Sequence, residues 1–195
     1  MLNDLVKISI IGHPATGKTT ILKLLSDNLE KKDRLYIPTQ GFDLKTVKFD
    51  QMALRVWDFG GQTSYLTYLD DYLVGSDLVL VVTDSSPRNV LNSRRFIEFT
   101  SNIVEKDCPI IAIANKQDLC KEYGRMEAKR VEDILKVKTY GLTAIESSER
   151  KKLIDIIKKE LNQVFIRRGL KDVMNVLKEE LNYIEEKRSV KESEI

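Results

Sequence analysis

The run Gly12-His13-Pro14-Ala15-Thr16-Gly17-Lys18-Thr19 constrains this chain more tightly than any other stretch. It fits GxxxxGK[ST], follows an apolar strand-like segment at 5–11 and precedes a helix-like one at 19–29. Strand, glycine-bearing turn and helix in that order make a phosphate loop. The glycines let the backbone curl until its N–H groups converge on an anion. The helix that starts there aims its positive end at the same point. Lys18 adds a point charge near the β and γ phosphates, and Thr19 adds a hydroxyl for Mg2+. Pro14, Ala15, Thr16, Gly17, Lys18, Thr19 and Thr20 are therefore the candidate phosphate-binding residues.

The rest of the hydropathy pattern fits the fold this loop requires. Apolar strand candidates occur at 5–11, 44–49, 53–57, 78–82, 110–114 and, more weakly, 137–140. Residues 8–11, 78–82 and 110–114 are almost continuously apolar, as expected of parallel strands covered on both faces. Helical periodicity occupies 19–29, 90–104, 126–135 and 153–165. This alternation predicts an α/β P-loop NTPase fold, with a six-stranded, mostly parallel sheet and helices on both faces. Segments 44–49 and 53–57 lie too close for a crossover helix, so they should form an antiparallel hairpin at the sheet edge. In such a sheet ligands bind beyond the carboxyl ends of the strands. The loops near Gly12, Asp58, Asn115 and Thr143 should then line one cleft.

Those loops carry further chemistry. In Trp57-Asp58-Phe59-Gly60-Gly61-Gln62, an aspartate ending an apolar strand can hold Mg2+, directly or through water. Gly61 can turn an N–H toward a γ phosphate, and the Gln62 amide can orient an attacking water. In Asn115-Lys116-Gln117-Asp118, the Asp118 carboxylate can accept both N–H groups on the Watson–Crick edge of guanine, a pairing adenine cannot make. Asn115 would tie loops together or touch the purine, and the Lys116 stem would lie over its ring plane. Within Thr143-Ala144-Ile145, the Ala144 N–H could meet the guanine carbonyl oxygen. Thr39, in Tyr36-Ile37-Pro38-Thr39-Gln40-Gly41-Phe42, could complete Mg2+ coordination only when a γ phosphate is present, which would make it a sensor.

With these motifs in this order, the chain resembles the Ras superfamily of small GTPases, and most closely its ADP-ribosylation-factor (Arf) branch. Residues 37–42 are similar to that branch's switch I, 57–62 to its switch II and 115–118 to its specificity loop. The resemblance covers about residues 5–165. It implies GTP or GDP as the bound nucleotide and Mg2+ as cofactor, with Thr19, Thr39 and Asp58 about the metal. It implies Lys18, Gly61 and Gln62 as the catalytic residues, with Asn115, Lys116, Asp118 and Ala144 reading guanine. It also implies effectors, exchange factors and GTPase-activating proteins at 36–42 and 60–72, with Phe42, Trp57 and Tyr65 as apolar contacts. Trp57 reads equally well as hairpin core.

Two departures qualify the resemblance. Arf proteins carry a myristoylated amphipathic helix before the first strand. Only Met1 to Asp4 stand there in this sequence, so membrane-coupled switching is not carried over. Pro14 replaces the Asp of Arf proteins and the Gly of Ras proteins, and it has no N–H to give a phosphate. Assisted hydrolysis is the step this affects. His13, the only histidine, reads as filling space on the outer side of the loop, because phosphoryl transfer here is mainly positioning and electrostatics. Arg34 is the one arginine near the switch I segment that could act as an internal finger.

Composition narrows the remaining choices. With 32 Lys plus Arg against 30 Asp plus Glu, the net charge of +2 asks for no nucleic-acid partner. Two cysteines, Cys108 and Cys120, suit reduced thiols rather than a disulfide scaffold. No apolar run reaches membrane-spanning length, and no lipidation signal is present, so any membrane contact is expected to be indirect. The expectation is a cytoplasmic protein, peripheral to a membrane only through a partner.

Residues 1–168 should form the GTPase domain and 169–195 a C-terminal helical extension. Gly169 would cap the preceding helix. Leu170, Met174, Leu177, Leu181 and Ile184 make one apolar stripe on an additional helix at 170–187, which either packs on the domain, binds a partner or pairs with a second copy. The functional expectation is a slow GTP-hydrolysing switch. The alternative is a GTP-dependent binding or scaffold module with little or no hydrolysis. A small-molecule or nucleoside kinase would also use a phosphate loop, but Asn115 to Asp118 give it no support.

Overall fold

The continuously apolar runs at 78–82 and 110–114 form central strands covered by helices. The computed structural model describes residues 6–26, 42–49, 52–59, 69–166 and 169. In chain order the elements are β1 (Val6–Ile11), α1 (Lys18–Leu25), β2 (Phe42–Phe49), β3 (Met52–Phe59), α2 (Leu69–Leu73), β4 (Leu78–Thr83), α3 (Pro87–Ser101), β5 (Ile110–Ala114), α4 (Ala128–Leu135), β6 (Thr139–Gly141) and α5 over 149–166. The sheet has six strands in the order β2-β3-β1-β4-β5-β6. β2 and β3 pair antiparallel, and all other neighbours are parallel. The hairpin therefore sits at one edge, as the short link between its strands requires.

Alternation along each strand sorts side chains into two layers. On β4, Leu78, Leu80 and Val82 join Ile21, Leu25 and Leu153 in the layer under α1 and α5. Val79 and Val81 join Leu73 and Phe96 in the layer under α2 and α3. Ala112 and Ala114 of β5 meet Val90, Val131 and Leu135 beneath α3 and α4. Burying each large side chain contributes about 1.5–3 kcal/mol, and the strands share that burial with α1 and α5. The small Ser9 on β1 is fully buried, yet its hydroxyl is satisfied by Ser76 Oγ at 2.8 Å.

Polar contacts fix the elements around this core. Glu160 of α5 is buried and accepts from Lys138 Nζ at 2.5 Å and Tyr140 Oη at 2.6 Å, which ties the helix to β6. Arg94 of α3 donates Nε and Nη2 to the Ile134 carbonyl at 3.2 and 2.9 Å. A cation thus caps the carboxyl end of α4.

Several boundaries differ from the periodicity. α3 starts at Pro87 rather than 90, because Asp84 Oδ1 accepts from Ser86 N at 3.0 Å and Ser86 Oγ at 2.7 Å, and proline suits the first helical position. α2 is new; five residues are too few to show a helical period. Gly169 is itself helical with no left-handed φ, and residues 167, 168 and 170 beside it lie outside the described residues. The additional helix expected at 170–187 lies outside the described residues. Among the described residues no helix is long and apolar enough to cross a membrane.

Candidate nucleotide site

Five parallel strands point their carboxyl ends to one edge of the sheet, and the loops that leave them there build the site. The first is the phosphate loop between β1 and α1. The positive φ of Gly12 (145°), Ala15 (60°) and Gly17 (99°) coils the backbone into an open arch. Backbone of this kind presents several N–H groups to one point. The two glycines are also obligatory for space. A Cβ on Gly12 would collide with the Val82 carbonyl, and one on Gly17 with Asn115 Nδ2.

Within the arch, Lys18 is 6% exposed and donates Nζ to the Gly12 and His13 carbonyls at 3.0 and 2.8 Å. Thr16 Oγ1 donates to the same His13 carbonyl at 3.0 Å. Thr19 and Thr20 stand in the first turn of α1, whose ladder opens with Ile21 N to Gly17 O at 2.9 Å. Pro14 and Ala15 are exposed at the tip.

The His13 ring turns away from the arch and meets Phe96 of α3 edge-on, with centroids 4.8 Å apart and planes at 79°. Its Nε2 is buried without a hydrogen-bond partner. Burial lowers the His13 pKa, reinforced by Lys18 and Arg95 and opposed by a backbone hydrogen bond at Asn92 and by Asp84. An imidazole placed like this fills space.

The second loop follows β5 and is stitched to the first. Asn115 is 2% exposed, donates Nδ2 to the Thr16 carbonyl at 2.9 Å and accepts from Ala144 N at 3.1 Å. Lys116, with φ 63°, donates Nζ to the Ala15 carbonyl at 2.7 Å. Burial lowers its pKa, against the pull of Asp84 and Asp118. Asp118 is exposed on a 3-10 turn over Gln117–Leu119. Thr143 and Ala144 are buried after β6, while Ile145 is 71% exposed. The Ala144 N–H expected to face guanine goes to Asn115 in this structure.

Asp58 lies on β3 opposite Ile10 of β1, two residues before Gly12, so the strand register brings its backbone to the same edge. Among the described residues no group of three or more His, Cys, Asp or Glu could hold a metal alone. The Thr19 hydroxyl and an aspartate carboxylate are nevertheless hard oxygen donors of the type Mg2+ prefers, with phosphate oxygens completing the set. Thr39, Gly61 and Gln62 lie outside the described residues, as do Arg34 and Tyr65. Trp57 is half-buried, 5.5 Å from the Tyr72 ring and with Lys7 Nζ 5.4 Å over its face.

A model of the ADP-ribosylation factor family matches residues 1–181. The chain belongs to that family. ADP-ribosylation factor-like protein 3 of Caenorhabditis elegans is 32% identical over 161 residues, 77% of this chain and 83% of that protein. ADP-ribosylation factor-like protein 3 of Chlamydomonas reinhardtii is 38% identical over 116 residues, 58% of this chain and 63% of that protein. The chain thus spans less than two thirds of the algal relative. The solved Arl6 (BBS3) small GTPase of Trypanosoma brucei shares the fold with a TM-score of 0.66 at 18% identity, covering 81% of this chain and 98% of its own. In this Arf-family protein the loop after β1 and the loop after β5 are joined by hydrogen bonds at the carboxyl edge of the sheet.

Sequence reading overlooked a second group at this edge. Asp84 and Ser85 follow β4, and Arg125 Nη1 reaches Asp84 Oδ2 at 2.9 Å and also its carbonyl. Burial alone would raise the Asp84 pKa; hydrogen bonds from Ser86 and Arg125 outweigh it and bring it below the usual range. Polar residues ending a buried strand were the available signal.

Proposed function

We propose that this Arf-family protein is a guanine-nucleotide-dependent switch that binds GTP and GDP with Mg2+ and hydrolyses GTP slowly to GDP and phosphate. The reading rests above all on the three hydrogen bonds that join the phosphate loop, Asn115-Lys116 and Ala144 into one frame. A frame of this kind sets phosphate binding and base reading at a fixed separation. The trypanosomal neighbour, solved with the nucleotide analogue GppNp, supports the nucleotide reading.

In this reading Lys18 leaves the two carbonyls for phosphate oxygens, and the arch N–H groups absorb the charge that builds on the γ phosphoryl group. Thr19, Asp58 and Thr39 would hold Mg2+, which when bound neutralises charge on the β and γ oxygens. Gly61 contacts the γ phosphate and Gln62 orients the water. Residues 36–42 and 60–72 change with the γ phosphate and meet effectors, exchange factors and activating proteins. The protein works in the cytoplasm and reaches membranes through such partners.

Pro14 at the exposed tip favours a second reading, a nucleotide-dependent binding module with little hydrolysis. Single-turnover phosphate release from GTP-loaded protein separates the two. Slow release that is abolished in Gln62→Leu supports the switch. No release from the parent leaves the binding module. Displacement of labelled GDP equally by ATP and GTP would overturn both.

A further inference from the structure

The turn that carries Asp118 is supported from beneath by a side chain that nucleotide recognition does not itself use. Gln117 donates Nε2 to Ser85 Oγ at 3.0 Å and to the Met126 carbonyl at 3.2 Å. Ser85 Oγ in turn donates to the Asn115 carbonyl at 2.6 Å, and Met126 N donates to the Ser85 carbonyl at 2.7 Å. Ser85 is fully buried at φ 65°, a conformation side-chain-bearing residues rarely adopt. On the far side, a Cβ on Gly141 would stand 3.3 Å from Gln117 Cγ and 3.2 Å from Ala128 Cβ, so the bare backbone of β6 makes room for the glutamine stem. The amide is thus enclosed by β6, the start of α3 and the approach to α4.

Asp118 has no comparable support of its own. It is exposed, and the backbone of its turn is tied to Leu142, just after β6, by one long bond, Gln117 N to Leu142 O at 3.3 Å. Accepting two N–H groups from one base edge demands placement to about 0.5 Å. A surface carboxylate reaches that accuracy only if the turn beneath it is rigid.

We infer that Gln117, braced by Ser85, is a positioning residue that sets guanine selectivity and nucleotide retention by holding the 116–118 turn against the residues that follow β4 and precede α4. This rests on the reading that Asp118 accepts the guanine N–H pair, and it extends to a glutamine whose amide N–H groups are given to Ser85 and Met126. Loosening the turn lets the carboxylate wander, so the two-point contact with guanine degrades before contacts at the phosphates do.

Inosine nucleotides lack the 2-amino group, one of the two donors Asp118 would accept, so the ratio Kd(IDP)/Kd(GDP) reports carboxylate placement. Gln117→Met keeps the stem against Gly141 and removes both hydrogen bonds. Ser85→Gly keeps the left-handed φ and removes the hydroxyl. Each variant should lower the ratio about fivefold to tenfold and speed release of a fluorescent GDP by a similar factor, as expected for one or two hydrogen bonds. The double variant should fall little below the lower single one. An unchanged ratio in both variants overturns the inference. Equal weakening toward GDP and IDP also overturns it, because that is general loosening, and so does failure of both variants to fold. The parent is the control for the underlying reading: equal affinity for GDP and IDP in the parent would remove Asp118 as guanine reader, a result distinct from any failure of the variants.

Discussion

Lys18 and His13 take opposite directions from one loop, and each direction predicts a separate measurement. Lys18 is buried, and its ammonium is held by two carbonyls of the loop. Lys18→Ala should weaken GDP about 10- to 100-fold, the range for losing charge-assisted hydrogen bonds, with its thermal unfolding still cooperative. Isothermal titration would check this, and affinity within twofold of the parent would count against it. His13 is packed on Phe96, and burial lowers its pKa below the ordinary 6.5. The native chain then binds fewer protons than the unfolded chain between the two values. Stability from this group is full above about pH 6.5 and falls as pH drops toward the lower, folded value. Urea unfolding at pH 7.5 and 5.5 should show the parent losing stability relative to His13→Leu; a gap independent of pH would contradict it. Both residues sit in a motif legible from the order of residues alone. The direction each side chain takes was not, since it depends on α3 lying against the loop.

Elements hold together through a few polar ties laid over apolar layers. Glu160 ties α5 to β6 through Lys138 and Tyr140. Hydrogen bonding to Glu160 raises the Lys138 pKa, and burial raises that of Tyr140. Glu160→Ala should cost about 1–3 kcal/mol in urea unfolding, with Glu160→Gln losing less because it still accepts from Tyr140. Leu80→Ala, at the centre of β4, removes a fully buried side chain and should cost about 2–5 kcal/mol in the same assay. Strands were the most legible elements, because residues covered on both faces leave continuous apolar runs. α2 was not legible, as Leu69–Leu73 is shorter than two turns. The start of α3 was misjudged by three residues, although Ser86 before Pro87 is a helix-start signal the apolar period overlooks.

Across the whole molecule, the mostly parallel sheet with its antiparallel edge hairpin was legible in the apolar pattern, but the bracing of the site was not. Gly12 to Thr19 and Asn115 to Asp118 are local patterns, readable because phosphate and base chemistry need those residues side by side. Gln117 and Ser85 join because 125–126 lies against the residues that follow β4 and because residue 141 has no side chain to crowd the glutamine stem. No window of sequence contains that arrangement. The stitches of the site are also distant along the chain, Asn115 to Thr16 spanning 99 residues and Lys116 to Ala15 spanning 101. Loops so far apart can meet only after β1, β4 and β5 have aligned, since closing large loops early is entropically costly. The nucleotide pocket is therefore a product of folding rather than its nucleus. In stopped-flow refolding, saturating GDP should leave the folding rate unchanged and slow unfolding, so that bound nucleotide lengthens the life of the folded chain without hastening its birth.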